Sequence, residues 1–337
     1  MPERVRLEDI ARACGVTKGL VSRALAGKYN VSDETRNEIV QKAAEMGYDN
    51  THLWSRPETI SRVLLVISSR MMLKEDYWQP IIKAISKTLD FSSVVLEYFV
   101  YEENKVDGET LEKLANSKCN AFVVIHSNPE YLNNYLKNLC KPVVEVDPKY
   151  FHSDGVTKVK FSNYDSMYQA TENLIVRGHR LLAFYGSDGH STSFRERHEG
   201  FLACVEAHKS ENVVGLSINF DNSLLNYADD ALLEKAFQNQ PFTALVCAND
   251  IIALNAYKTL AKLGKKIPDD VSVVGFDNIK EGELADPPLS TFNVPREELG
   301  KEIANYLIGM FSERQLQYSQ IVIHCPYIQR GSIKNVN

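Results

Sequence analysis

Residues 7 to 26 read LEDIARACGVTKGLVSRALA, two short apolar-periodic stretches parted by a glycine. Leu7, Ile10, Ala11 and Cys14 recur at helical spacing on one apolar face, with Glu8, Asp9 and Arg12 on the wet side. Gly15 can take a left-handed conformation and stop that helix, and Val16 plugs the angle before the next one. Thr17 caps a second helix whose packing face is Leu20, Val21, Ala24 and Leu25. Lys18, Gly19, Ser22 and Arg23 point outward near its start. Two helices crossing steeply over so short a turn need a small side chain at the crossing, and Ala11 supplies one. The pattern is that of a helix-turn-helix, with the second helix presented to a major groove.

The exposed residue types fit that placement. Arg23 can pair bidentately with guanine, Lys18 can reach a guanine edge or a phosphate, and Ser22 suits a phosphate. Gly19 costs roughly 1 kcal/mol of helix stability against alanine. Either it allows close backbone approach to DNA or it is simply tolerated. The plainer alternative is a helical hairpin with a solvated basic face.

Extending the reading to Tyr48 adds VSDETRNEIVQKAAEMGY, in which Ser32 caps a third helix, Ile39, Val40, Ala43 and Ala44 form its buried stripe, and Gly47 ends it. The run from Glu8 to Tyr48 resembles the DNA-binding headpiece of the lactose repressor (LacI/GalR) family of bacterial transcription regulators. VSR at 21 to 23, VS at 31 to 32, TR at 35 to 36 and GY at 47 to 48 carry the resemblance. Arg6 departs from it, standing where the family usually has a capping threonine, which implies local fraying.

The whole chain has 337 residues, enough for two or three domains, with 44% hydrophobic and 24% charged residues. It contains no long apolar run and no signal-type segment before the first helix, so a cytoplasmic protein with no membrane partner is expected. Net charge is −6, yet Arg4, Arg6, Arg12, Lys18, Arg23 and Lys28 outnumber Glu3, Glu8 and Asp9 at the front. That modest local basic patch implies two headpieces per DNA site and affinity that falls with salt. The six cysteines have no close pair and read as reduced core residues; neither a metal site nor a cofactor is expected.

Residues 49 to 61, DNTHLWSRPETIS, form a linker. In the family this segment is a short hinge helix that orders on the operator and wedges a leucine into the minor groove. Here the usual pattern is absent, the segment is about two residues short, and Pro57 opposes helix. Leu53 and Trp54 are the available wedges. The alternative is a flexible tether, with both packed on the core.

From residue 62 the rhythm becomes strand then helix. RVLLVI (62–67), SVVLEYF (93–99), NAFVVI (120–125) and PVVEV (142–146) precede a second set, RLLAFYG (180–186), VVGLSI (213–218), FTALVCA (242–248) and VSVVGF (271–276). This predicts two doubly wound parallel-sheet subdomains with a ligand cleft between them. Residues 243 to 279, with RGH at 177 to 179, RHEGF at 197 to 201, PPLST at 287 to 291 and RGS at 330 to 332, also resemble the regulators and the periplasmic sugar-binding proteins.

The expected fold class is therefore an α-helical helix-turn-helix headpiece (1–48), the linker (49–61), and a periplasmic-binding-protein-like α/β core. Its N-terminal subdomain is expected to be 62–160 with 293–318, and its C-terminal subdomain 161–292 with 319–332.

The resemblance implies an effector site containing Arg197, Asn249 and Asp277, with Phe220 stacking on a sugar face. Asp147 and Ser193 are further candidates, and Tyr77 and Trp78 begin the opposite wall. A guanidinium, an amide and a carboxylate suit a polyhydroxylated ligand. Asn249 could instead only cap a helix, Asp277 only form a turn, and Trp78 only fill core. Ser162, Asn163 and Met167 depart from the family's usual Asp-Asn and glycine, so the site on that side is expected to be remodelled.

No nucleophile elbow, phosphate loop or dinucleotide fingerprint supports catalysis. His179 is expected to be structural, and His190 and His198 to lie in a loop and on a helix surface. DNA geometry implies a homodimer on a near-palindromic operator, controlled by a small-molecule effector, most simply a sugar. An exported sugar-binding protein, a small-molecule enzyme, and a regulator answering to a nucleobase, a sugar phosphate or a phosphorylated carrier protein are the alternatives.

Overall fold

The computed structural model describes residues 5–25, 31–46, 48, 60–73, 75–90, 92–126, 130–148, 156–189, 191–220, 229–313 and 320–336. Leu53 and Trp54, Gly47 and His190 lie outside the described residues.

Three helices open the chain: α1 (Leu7–Ala13), α2 (Lys18–Leu25) and α3 (Asp33–Glu45). Their shared core is Ile10, Val21, Ala24, Leu25, Ile39 and Ala43, with Ala11 buried at the crossing. Gly15 has φ +67°, and the Val16 N–H then donates to Ala11 O at 2.9 Å, closing α1 with a left-handed turn that a side chain would oppose. At the other end, the Arg6 N–H donates to Asp9 Oδ2 at 2.9 Å. The Asp9 carboxylate thus satisfies one of the end donors that a threonine cap would have helped to hold.

The core follows as β1 (Ser61–Ser68), α4 (Ser69–Met72), α5 (Glu75–Leu89), β2 (Val94–Tyr101), α6 (Gly108–Ala115), β3 (Ala121–Ile125), α7 (Glu130–Asn138), β4 (Val143–Val146) and β5 (Thr157–Phe161). Then come α8 (Asn163–Val176), β6 (Leu181–Gly186), α9 (Thr192–Ala207), β7 (Val214–Asn219), α10 (Asp230–Asn239), β8 (Ala244–Cys247), α11 (Asp250–Lys262) and β9 (Ser272–Val274). The chain closes with α12 (Lys280–Glu283), β10 (Thr291–Phe292), α13 (Arg296–Glu313), β11 (Gln320–Ile323) and β12 (Tyr327–Ile328).

Two parallel sheets result. The first has order β11-β5-β4-β3-β1-β2 and the second β7-β6-β8-β9, with β10 and β12 forming a separate antiparallel pair. All eight strands expected from the alternating rhythm are present. Strand β5 was not anticipated: TKVKF carries two lysines, and only its inward side chains Thr157, Val159 and Phe161 are buried.

Strand β11 corrects the expected division of the chain. It pairs in parallel with β5, Gln320 opposite Lys158, so residues 320–323 complete the first sheet instead of joining the C-terminal subdomain. The polypeptide therefore changes lobes after β5, after β10 and after β11. These crossings are hydrogen-bonded to one another: Ser162 N–H to Ile323 O at 2.9 Å, Cys325 N–H to Ser162 Oγ at 3.0 Å, and Asn293 N–H to Pro326 O at 2.9 Å.

Helices α8 and α9 lie against each other through Gly200. A Cβ added there would sit 2.3 Å from the Tyr164 carbonyl oxygen, so only glycine permits the approach. Four of the cysteines are buried, Cys14 is half-buried, and Cys140 is exposed, which corrects its reading as a core residue. Among the described residues no helix is long and apolar enough to cross a membrane, and no group of His, Cys, Asp and Glu side chains is arranged to hold a metal ion.

Candidate nucleic-acid interface and interlobe cleft

Helix α2 divides as its sequence implies. Val21, Ala24 and Leu25 are buried against α1 and α3, while Thr17, Lys18, Gly19 and Arg23 are exposed and Ser22 is half-buried. Thr17 Oγ1 accepts from the Leu20 N–H at 3.2 Å, fixing the first turn. Gly19 has no heavy atom near the place a Cβ would occupy, so its backbone stands open to an approaching surface. Lys18 Nζ donates to Glu8 Oε1 at 2.7 Å, and this exposed pair holds the Glu8 carboxyl below the usual carboxylate range. A phosphate would compete with Glu8 for that ammonium, a relation that separate reading of the two helices did not reveal.

In the core, the candidate effector residues sit at the C-terminal ends of strands or the starts of helices, where doubly wound sheets leave a crevice. Of six described non-glycine residues with positive φ, four lie here: His126 after β3, Asp147 after β4, and Asp277 and Asn278 beyond β9. Such backbone conformations concentrate where side chains must be aimed.

Asp147 and Ser193 come from different lobes and meet: Ser193 Oγ donates to Asp147 Oδ1. Burial alone would raise the Asp147 carboxyl, but hydrogen bonds from His126 and Ser193 and the nearby Arg197 charge hold it below its ordinary value. Arg197 is 3% exposed. Its Nε donates to Asn163 Oδ1 at 2.9 Å, its Nη1 to Ala248 O at 2.8 Å, and its plane lies 3.7 Å from the Phe276 ring centre. Among the described residues Nη2 carries no hydrogen bond. Asn249 does cap α11, accepting from the Ile252 N–H at 2.9 Å through Oδ1, and its amide donors are not used in that bond.

Tyr77 marks where the two walls converge. Burial pushes its phenol up, Asp147 and Asp277 push it further, and Arg197 and Arg296 oppose them. Arg296 lies 4.8 Å over the Tyr77 ring and donates from Nη2 to Asp277 O at 3.2 Å. Trp78 is buried in the hydrophobic core, edge-on to Tyr77 at 4.8 Å. Phe220 is buried edge-on to Tyr185 at 5.3 Å, and no described contact joins it to the group around Tyr77.

Several neighbours escaped the sequence reading. Asn163, noticed only as a departure from a motif, holds Arg197. Asp250, beside Asn249, accepts from Thr291 Oγ1 at 2.6 Å and the Ile279 N–H at 2.9 Å; burial and the Asp277 charge push it up to about 7. His198 is buried rather than on a helix surface, bonded to Asp188 at 2.8 Å and Ser217 at 2.7 Å. His179 is buried and bonded to Thr243 at 2.9 Å, as expected of a structural residue.

Two family models match the chain: bacterial regulatory proteins, lacI family, over residues 6–50, and the periplasmic binding protein-like domain over residues 171–333. Between them they take in more than half of the 337 residues. The chain belongs to the LacI family.

This LacI-family chain is 25% identical over 347 residues to the HTH-type transcriptional repressor PurR of Histophilus somni, covering 98% of the chain and 99% of that relative. Its fold is that of a CelR–cellobiose complex (TM-score 0.66, 24% identity, covering 98% of this chain and 100% of that one). It also matches a lac repressor dimer bound to operator and the anti-inducer ONPF (TM-score 0.65, 20% identity, covering 98% and 100%). It is a LacI-family DNA-binding transcriptional regulator, with a helical headpiece and an α/β core of parallel sheets.

Proposed function

We propose that this regulator is a repressor that acts as a cytoplasmic homodimer, reading a near-palindromic operator through Thr17, Lys18, Gly19, Ser22 and Arg23 and answering to a sugar bound between its core lobes. One headpiece reads only a few base pairs, so two-fold pairing supplies the affinity. Within the chain, residues 1–48 are assigned to the headpiece, 49–61 to the linker, and the remainder to two lobes whose division follows the sheets.

Arg197 carries the effector reading. It is a buried guanidinium held in one plane by Asn163, Ala248 and Phe276, with Nη2 making no hydrogen bond among the described residues and Asp147, Asp277, Asn249 and Tyr77 about it. Donors and acceptors so mixed suit vicinal hydroxyls, and the relative CelR is described in complex with cellobiose. Ligand contacts from both lobes favour the closed cleft, and closure alters the spacing of the headpieces. The role is that of a binding switch without turnover.

The test is selection of a binding site from random duplexes with the full-length protein, repeated across a panel of sugars. An enriched two-fold-symmetric sequence whose affinity shifts with one sugar, and no longer shifts in Arg197→Ala, is the expected result. No enrichment over random DNA, or a sugar response unchanged in Arg197→Ala, overturns it.

A further inference from the structure

Arg197 is anchored to a chain of polar groups that ends on the opposite lobe. Asn163 is the first residue of α8, immediately past the crossing from the first sheet. It is 1% exposed, and both ends of its amide are used. Oδ1 accepts from Arg197 Nε at 2.9 Å, while Nδ2 donates to Glu196 Oε2 at 3.1 Å and to Phe161 O at 3.2 Å. These bonds fix the amide orientation, because a flipped amide would set NH2 against the guanidinium and an oxygen against the carboxylate. Glu196, also buried, is ion-paired through Oε1 with Lys160, whose side chain is only 16% exposed. Lys160 belongs to β5 in the first sheet, whereas Glu196 and Arg197 belong to α9 over the second.

We propose that Asn163 is a positioning residue for Arg197, and that Glu196 and Lys160 tie that position to the first lobe, so that closure of the cleft aims the guanidinium. This rests on the reading of Arg197 as an effector residue only for its functional consequence. The linkage itself is physical. With the lobes apart, Lys160 leaves Glu196, the carboxylate is freed to turn, and the amide between it and Arg197 loses one of the bonds that set its plane. A buried ion pair of this kind contributes chiefly through geometry, since desolvation offsets much of its attraction. An aimed donor set costs the ligand less ordering when it binds.

The direct reporter is the Arg197 Nε–H, followed by hydrogen exchange in arginine-labelled, ligand-free full-length protein and identified by its loss in Arg197→Lys. Asn163→Ala removes the acceptor and is expected to speed exchange by about tenfold or more, the scale of a hydrogen bond to a charged group. Lys160→Met keeps the aliphatic stem and touches neither Arg197 nor Asn163, yet is expected to speed exchange in the same direction. Asn163→Asp sets two carboxylates face to face and is expected to loosen the chain. Adding Glu196→Gln restores it, because the new amide donates to the aspartate and still accepts from Lys160. Mere structural support would lower thermal stability without this reciprocal rescue at one Nε–H. Exchange unchanged in Asn163→Ala overturns the positioning role; exchange unchanged in Lys160→Met, or no rescue in the double variant, overturns the tie between lobes. Should all four variants behave as expected while Arg197→Ala leaves the sugar response intact, the effector reading falls and the positioning chain stands.

Discussion

Replacing Asp250 with asparagine should remove a specific part of the protein's pH dependence. Asp250 is buried at the start of α11, and both of its described partners, Thr291 Oγ1 and the Ile279 N–H, donate to it. Burial and the neighbouring Asp277 charge raise the folded carboxyl from 3.8 to about 7. The folded state therefore binds a proton that the unfolded chain has already released, and the stability this confers is fully present below the unfolded value. It is lost as pH rises through the folded one. For such a shift the loss between about pH 5 and about pH 8 is roughly 2–3 kcal/mol. The Thr291 hydroxyl can turn to accept a hydrogen bond, so asparagine can occupy the site as the neutral acid does. Urea denaturation of wild type and Asp250→Asn across that window is the assay. Wild type should lose stability toward the alkaline end relative to the variant, and Asp277→Asn should move the loss to lower pH by removing a repelling charge. Parallel pH profiles for wild type and Asp250→Asn would refute the reasoning.

Arg23→Ala should cost about 1–3 kcal/mol on the selected operator and relax preference at one base position, read by repeating the selection; equal selectivity removes Arg23 from base reading. Ile39→Ala empties the fully buried centre of the three-helix core, and a loss of roughly 2–5 kcal/mol should unfold so small a module. Helical circular dichroism should then fall and operator binding vanish, while the environment of buried Trp78 in the core is unchanged. Gly200→Ala must move α8 away from α9, because the added carbon meets the Tyr164 carbonyl at 2.3 Å. A cost of about 1–3 kcal/mol is expected, measured as a lower melting temperature.

The fold was readable where one periodicity decides one element. The headpiece stripe Ile10, Val21, Ile39 is buried as its spacing implies, and the eight apolar runs became strands because parallel strands covered on both faces need continuous apolar sequence. Strand β5 was missed because its lysines break that run, and β11 was misassigned because its partner lies far away in sequence. The site was only partly legible for a related reason. Side chains at strand ends are visible as residue types, so Arg197, Asp147 and Ser193 could be singled out, and two of them bond directly across the lobes. What holds a side chain in place is a tertiary fact. Neither the Asn163 amide on Arg197 nor the Arg296 plane over Tyr77 has any signature in local spacing. The edge-on packing of Phe220 against Tyr185 is likewise a tertiary contact that local spacing does not announce.

The late arrival of β11 bears on how the molecule is made. As a nascent chain emerges, the four-stranded sheet of the second lobe is synthesised entirely between the two portions of the first, so it can close while its elder neighbour still lacks α13 and an outer strand. Helix α5 must wait for α13, which packs along it with Gly300 against the Ile81 carbonyl. The headpiece, by contrast, can be complete some 250 or more residues earlier. A ribosome that stops short of 320 therefore leaves a finished DNA-reading unit attached to an unfinished lobe, which gives chaperones and proteases an exposed apolar surface by which to remove it.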